Sequence, residues 1–151
     1  LEFCRERFHN HRINLKVAPI SEDLMIECRS VQIGQVILNL LNNAHDAVRD
    51  LESRWIELGI EDLGDRVRLS ITDSGRGILP ELREKILQPF FTTKGVGQGT
   101  GLGLSISKGI VEAHQGLLRL DSDHPNTRFV VDLPKRQTNP HRSIIASEAR
   151  I

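Results

Sequence analysis

Glycines stand at alternate positions, Gly95, Gly97, Gly99, Gly101 and Gly103, between Phe90-Phe91-Thr92-Thr93-Lys94 and an apolar run over residues 102–114. Glycine admits positive φ and close backbone approach, and the free amides of a helix N-terminus attract anions, so this loop can close on a phosphate and open into a helix. It matches no P-loop, because Gly-x-x-x-x-Gly-Lys-Ser/Thr does not occur, and Thr100, Leu102, Leu104 and Pro80 stand where Gly-x-Gly-x-x-Gly would need its last glycine. Dinucleotide-binding and protein-kinase loops are thereby disfavoured.

Two polar sets lie upstream. Asn39, Asn43, Asp46 and Asp50 recur at i, i+4, i+7 and i+11, one stripe along a helix. The stripe is either a solvated face or a source of hard oxygen ligands, with Asn43 the leading magnesium ligand and Asn39 one turn away. Asp73-Ser74-Gly75-Arg76-Gly77 follows a strand and is either an ordinary Asx turn or a buried carboxylate that accepts from the amino group of adenine, with Gly75 and Gly77 admitting the flat base. Phe90 and Phe91 are core or loop anchors, or anchors of a mobile lid. Lys94 is a surface lysine, or a cation for the terminal phosphates, and Gln98 an amide that could orient them. His45 and His114 are assigned no chemistry.

These residues need a scaffold. Residues 1–11 read as the end of a charged helix or linker, and residues 12–17 and 24–28 as short strands around a Pro19-Ile20-Ser21 turn. Ser30 is placed to cap a strongly amphipathic helix over residues 31–51. Residues 55–60 and 67–71 alternate about an Asp62-Leu63-Gly64-Asp65 turn and predict an antiparallel pair. Pro80 opens a short helix, residues 102–114 form the next, Gly116 ends it, and residues 117–120 and 128–133 complete the sheet. The expected fold class is α+β: a two-layer α/β sandwich whose mixed sheet of about five strands is covered by three helices, with a flexible lid at the glycine loop. The domain spans residues 12–134, and residues 135–151 read as a tail or linker.

With 151 residues, 38% hydrophobic and 26% charged, the chain supports one domain with a real core. Twenty basic and twenty acidic residues cancel, and without a basic cluster neither nucleic acid nor an anionic membrane is indicated. Cys4 and Cys28 are too far apart for a zinc site or disulfide framework, which fits a reducing, cytoplasmic setting. No apolar run approaches the roughly 18 residues of a membrane span. Leu1 in place of Met points to a piece of a longer protein, whose parent can be anchored in the inner membrane.

Asn39-Leu40-Leu41-Asn42-Asn43-Ala44, Asp73-Ser74-Gly75-Arg76-Gly77, Phe90-Phe91-Thr92-Thr93-Lys94 and Gly97-Gln98-Gly99-Thr100-Gly101-Leu102-Gly103-Leu104 resemble the N, first glycine, F and second glycine boxes of sensor histidine kinases, in family order and spacing. The match covers roughly residues 13–134. It implies the ATP-binding sandwich shared by gyrase, the mismatch-repair and heat-shock ATPases and these kinases. It also implies Asn43 on magnesium, Asn39 near the phosphates, Asp73 on adenine, Gly75 and Gly77 beside the base, and Gly99, Gly101 and Gly103 in the phosphate lid. Ile78, Phe91, Thr93, Lys94, Gly97, Gln98, Thr100 and Leu102 of the same boxes join the nucleotide site, with Asn39, Lys94 and Gln98 as the catalytic set. Thr127 resembles the residue that helps Asp73 hold the base through water, although Asn126 replaces the glycine usual before it. Asp46 stands where many of these kinases carry Lys or Arg and resembles an Asn-Ala-x-Asp-Ala variant, so it joins the site without offering phosphate a cation.

The resemblance implies a Mg-ATP-dependent transfer of the γ-phosphoryl group to a histidine. ATPase relatives carry a water-activating Glu where Asn39 stands, and an amide cannot act as a general base. Neither His9-Asn10 nor His11-Arg12 makes the His-Glu or His-Asp pair of an acceptor helix. The expected partners are the dimerisation and phosphoacceptor domain of the same parent, itself a phosphoprotein, and a downstream response regulator. The rival expectation is a regulatory module that senses ATP without transferring phosphate.

Overall fold

The computed structural model describes residues 2–93 and 100–137. In chain order the elements are α1 (Glu2–Asn10), β1 (Asn14–Val17), α2 (Ser30–Val48), β2 (Trp55–Asp62), β3 (Arg66–Asp73), α3 (Pro80–Arg83), α4 (Gly103–Ala113), β4 (Leu117–Leu120) and β5 (Arg128–Pro134). The five strands form one sheet in the order β1-β2-β3-β5-β4. β1 runs parallel to β2 and every other pair is antiparallel, so the sheet is mixed.

Alternation decides which face each strand buries. Leu69 and Ile71 of β3 and Phe129, Val131 and Leu133 of β5 pack in one core with Val36, Leu40 and Leu41 of α2 and Val111 of α4. Asp73, two residues past Ile71, points to the same side, and its carboxylate therefore emerges at the end of the core. On the opposite face Arg68 pairs across strands with Asp132, Nε to Oδ1 at 2.7 Å and Nη2 to Oδ2 at 3.0 Å. A cross-strand pair of this kind contributes roughly 0.2–1 kcal/mol.

The expected antiparallel pair, the Pro80 helix with its proline in the first turn and the second apolar helix are all present. Two expectations fail for tertiary reasons. Residues 24–28 form no strand, being tied to the body through Glu27 N–H and the Lys135 carbonyl at 2.8 Å. Ser30 is already helical; the cap position is Arg29, without a side-chain cap, and its amide donates to His114 Nε2 at 3.1 Å. Gly116 follows the end of α4 as expected, but the left-handed backbone there is taken by Gln115, φ 56°. Gly116 is needed for closeness instead, since a Cβ there would lie 2.6 Å from the Asp132 carbonyl. Residues 135–137 are bound to the domain, with Lys135 Nζ 2.7 Å from Asp62 and Gln137 Nε2 donating to the His114 carbonyl.

Candidate functional site

A cavity of about 330 Å³ opens between α2, the end of β3 and the start of α4. That is the lower end of the usual range for small-molecule sites. Asn43, Asp46 and Ala47 of α2 form one wall, Asp73, Thr127 and Phe129 the inner end, and Gly77, Ile78, Ile86, Phe91, Thr92, Thr93 and Leu104 the remainder. A polar end with an aromatic and aliphatic surround suits a flat heterocycle that carries hydrogen-bonding edges.

Asp73 is 4% exposed, yet its carboxylate is held: Gly75 N–H donates to Oδ1 at 2.8 Å and the Thr127 hydroxyl makes a further bond. Burial raises its pKa to about 6, while both hydrogen bonds act in the opposite direction. Gly75 is required here, because a Cβ would come within 2.7 Å of Asp73 Oδ1 and 3.1 Å of Thr127 Oγ1. Gly77 takes φ +82° and faces the Pro125 carbonyl.

The predicted polar stripe divides along α2. Asn43 and Asp46 face the cavity, whereas Asp50 is exposed and pairs with Arg49. Asn39 lies outside the cavity lining and bridges to α4, its Nδ2 donating to the Gly103 carbonyl at 3.3 Å and to Ser107 Oγ at 3.2 Å. Gly101 has φ +66°, and a Cβ would lie 2.5 Å from the Phe90 carbonyl carbon, so the two boxes meet backbone to backbone. Phe91 packs on the core, whereas Phe90 is 76% exposed with φ 65°, which removes the core alternative for Phe90 and leaves the loop and lid ones. Thr100 Oγ1 accepts from Leu102 N–H at 3.4 Å, bracing the start of α4. Lys94, Gly95, Gly97, Gln98 and Gly99, and with them the expected lid, lie outside the described residues.

No local pattern signals what supports Asp46. Arg7 of α1 reaches Asn42 Oδ1 at 2.8 Å and Asp46 Oδ1 at 3.5 Å, and His45 Nδ1 lies 3.0 Å from the same carboxylate. His45 is 1% exposed, stacks on Phe8 and bonds His11 Nδ1 at 2.7 Å. Burial lowers its pKa, against the opposing pull of Asp46. Pairing between residues 34 to 39 positions apart leaves no periodic trace, so neither histidine carries a local signal. His114 is likewise structural, its Nδ1 2.7 Å from the Ile110 carbonyl.

Residues 28–137 match the family of histidine kinase-, DNA gyrase B- and HSP90-like ATPases. The two-component sensor PprA of Pseudomonas aeruginosa is 39% identical over 85% of this chain, and the C4-dicarboxylate transport sensor protein DctB of Rhizobium meliloti is 33% identical over 89%. The chain spans 14% and 21% of those two proteins respectively. Among solved structures, the catalytic domain of histidine kinase ThkA superposes with a TM-score of 0.80 at 38% identity, covering 89% of this chain and 87% of that one. ThkA in complex with the response regulator protein TrrA superposes at 0.72 and 32% identity, over 88% of this chain and 37% of ThkA.

Proposed function

The chain belongs to the family of histidine kinase-, DNA gyrase B- and HSP90-like ATPases, with the fold of histidine kinase catalytic domains, and on that premise we propose that it is the Mg-ATP-binding catalytic domain of a two-component sensor histidine kinase. Its reaction is transfer of the γ-phosphoryl group to a histidine on the separate dimerisation domain of the same parent, within a unit spanning residues 12–134. One observation carries the reading: a buried carboxylate, Asp73, held by Gly75 N–H and Thr127 at the inner end of a largely apolar cavity. Such a group recognises a base through its exocyclic amine and rejects one that presents a carbonyl there.

Asn43 is the magnesium ligand in this reading. Among the described residues no group of three or more His, Cys, Asp or Glu side chains is placed to hold a metal, and a single amide oxygen suits an ion that keeps waters and takes its other ligands from substrate phosphates. Bound magnesium would neutralise charge developing on the transferring phosphate. Asn39 sets the start of α4 beside the phosphate end, and Lys94 and Gln98 complete the catalytic set. The ThkA–TrrA complex supports a response regulator as the downstream partner. Among the described residues no helix is long and apolar enough to cross a membrane. The domain is assigned to the cytoplasm, within a phosphoprotein parent that can be anchored in the inner membrane.

The test combines this chain with the separately produced dimerisation domain of its parent and γ-labelled Mg-ATP. Acid-labile label should appear on that domain and fall sharply with Asn43→Ala. ATP binding without any transfer would leave a regulatory ATP-sensing module.

A further inference from the structure

The segment that carries Thr127 does more than present its hydroxyl. Asn126 Nδ2 donates to the Gly75 carbonyl at 3.1 Å, and Thr127 N–H approaches the same oxygen at 3.4 Å. Gly75 N–H donates to Asp73 Oδ1 at 2.8 Å, and Asp73 N–H donates to the Thr127 carbonyl at 3.0 Å. One residue, Gly75, is thus held on its carbonyl side by Asn126 while its amide holds the carboxylate. Asn126 is itself fixed, because the half-buried His124 ring lies with Nδ1 3.2 Å from both the amide nitrogen and the carbonyl of Asn126.

The restraint is mechanical. No side chain can stiffen this position, because a Cβ on Gly75 would strike Asp73 Oδ1, so on its carbonyl side Gly75 depends on donors outside the turn. Two reach it, the Thr127 backbone N–H at 3.4 Å and, closer at 3.1 Å, the side-chain amide of Asn126. A glycine at position 126 could supply no such bond.

We propose that Asn126 is a specificity-determining positioning residue for adenine: by pinning the Gly75 carbonyl it keeps Gly75 N–H on Asp73 and so fixes the carboxylate oxygen that accepts from the exocyclic amine of the base. Asn126 touches no base itself. The proposal rests on Asp73 reading that amine, and it concerns how sharply the amine is read, not whether nucleotide binds.

ADP and purine riboside 5′-diphosphate, which lacks the exocyclic amine, distinguish this role from general support of the fold. Both are titrated calorimetrically into the full chain and into Asn126→Gly, Asn126→Ala and Asp73→Asn. Loss of a positioned neutral hydrogen bond should weaken ADP about fivefold in either Asn126 variant. The analogue should bind both variants as it binds the unaltered protein, which also reports that the variants are folded. Equal weakening of both ligands, or no weakening of ADP, would overturn the proposal and make Asn126 a strand-edge brace alone. Unchanged ADP affinity in Asp73→Asn would instead remove the base-reading role of Asp73, and the proposal with it.

Discussion

Asp73 is a residue held in a form that its surroundings disfavour. Its pKa of about 6 means that the folded chain holds this proton more tightly than an unfolded chain, whose carboxylate titrates near 4. The stability gained from that proton is present at low pH and is lost as pH rises through about 6, so at neutral pH the ionised carboxylate burdens the ligand-free protein by up to about 3 kcal/mol. Asp73→Asn should therefore raise the melting temperature of the nucleotide-free chain at pH 7.5, with the gain shrinking toward pH 4, while ADP affinity falls at least about tenfold from loss of a charged acceptor. Calorimetry across that pH range checks both; a variant less stable at pH 7.5 would show that the carboxylate serves the fold. The sequence disclosed this residue because a strand-terminal Asp followed by alternating glycines is a local pattern. It could not disclose what Asn126 and Arg7 hold, since their partners Gly75 and Asp46 lie 51 and 39 positions away.

At the scale of elements, the site depends on how α4 is seated. Asn39 joins α2 to α4 through the Gly103 carbonyl and Ser107, whose side chain is fully buried. Asn39→Ala would leave buried polar groups without this donor, at a cost of about 1–3 kcal/mol. A clear fall in midpoint on urea unfolding is expected, and an unchanged midpoint would mean that water replaces the amide. Gly101 is the second seat. An alanine would carry an unfavourable left-handed backbone worth about 1–2 kcal/mol and would strike the Phe90 carbonyl, so Gly101→Ala should push residues 100–103 off the Phe90-Phe91 peptide and weaken ATP more than it lowers stability. ATP affinity equal to that of the unaltered chain would refute it. The long helices and the β2–β3 pair were legible because their periodicity is local and strong. Their ends were not: His114, the residue that follows α4, accepts from the Arg29 amide, so α2 starts without the serine cap that Ser30 promised.

For the molecule as a whole, composition and element order indicate a two-layer sandwich, but the insertion of β5 between β3 and β4 and the parallel placement of β1 are long-range choices that pattern alone leaves open. The same limit applies to α1, a charged helical end by sequence and a supporting element in the fold, where Phe8 is buried and Arg7 and His11 grip Asn42, Asp46 and His45. That docking bears on what the isolated chain can do. His11 has Nδ1 against the His45 ring and its carbonyl accepting from Arg54, and neither His9 nor His11 lines the cavity in which nucleotide is expected. A nucleophile must approach the phosphoryl group in line and within about 3.5 Å before it can react, and α1 would have to leave α2 to bring either histidine there. Hydrolysis is disfavoured on separate grounds, since Asn39 spends its amide on Gly103 and Ser107 and has no basic group with which to activate water. The isolated chain, incubated with γ-labelled Mg-ATP, should therefore bind nucleotide, acquire no acid-labile label on His9 or His11, and release phosphate far more slowly than a dedicated ATPase. Label on either histidine would show that α1 detaches, and rapid phosphate release would show that another group activates water.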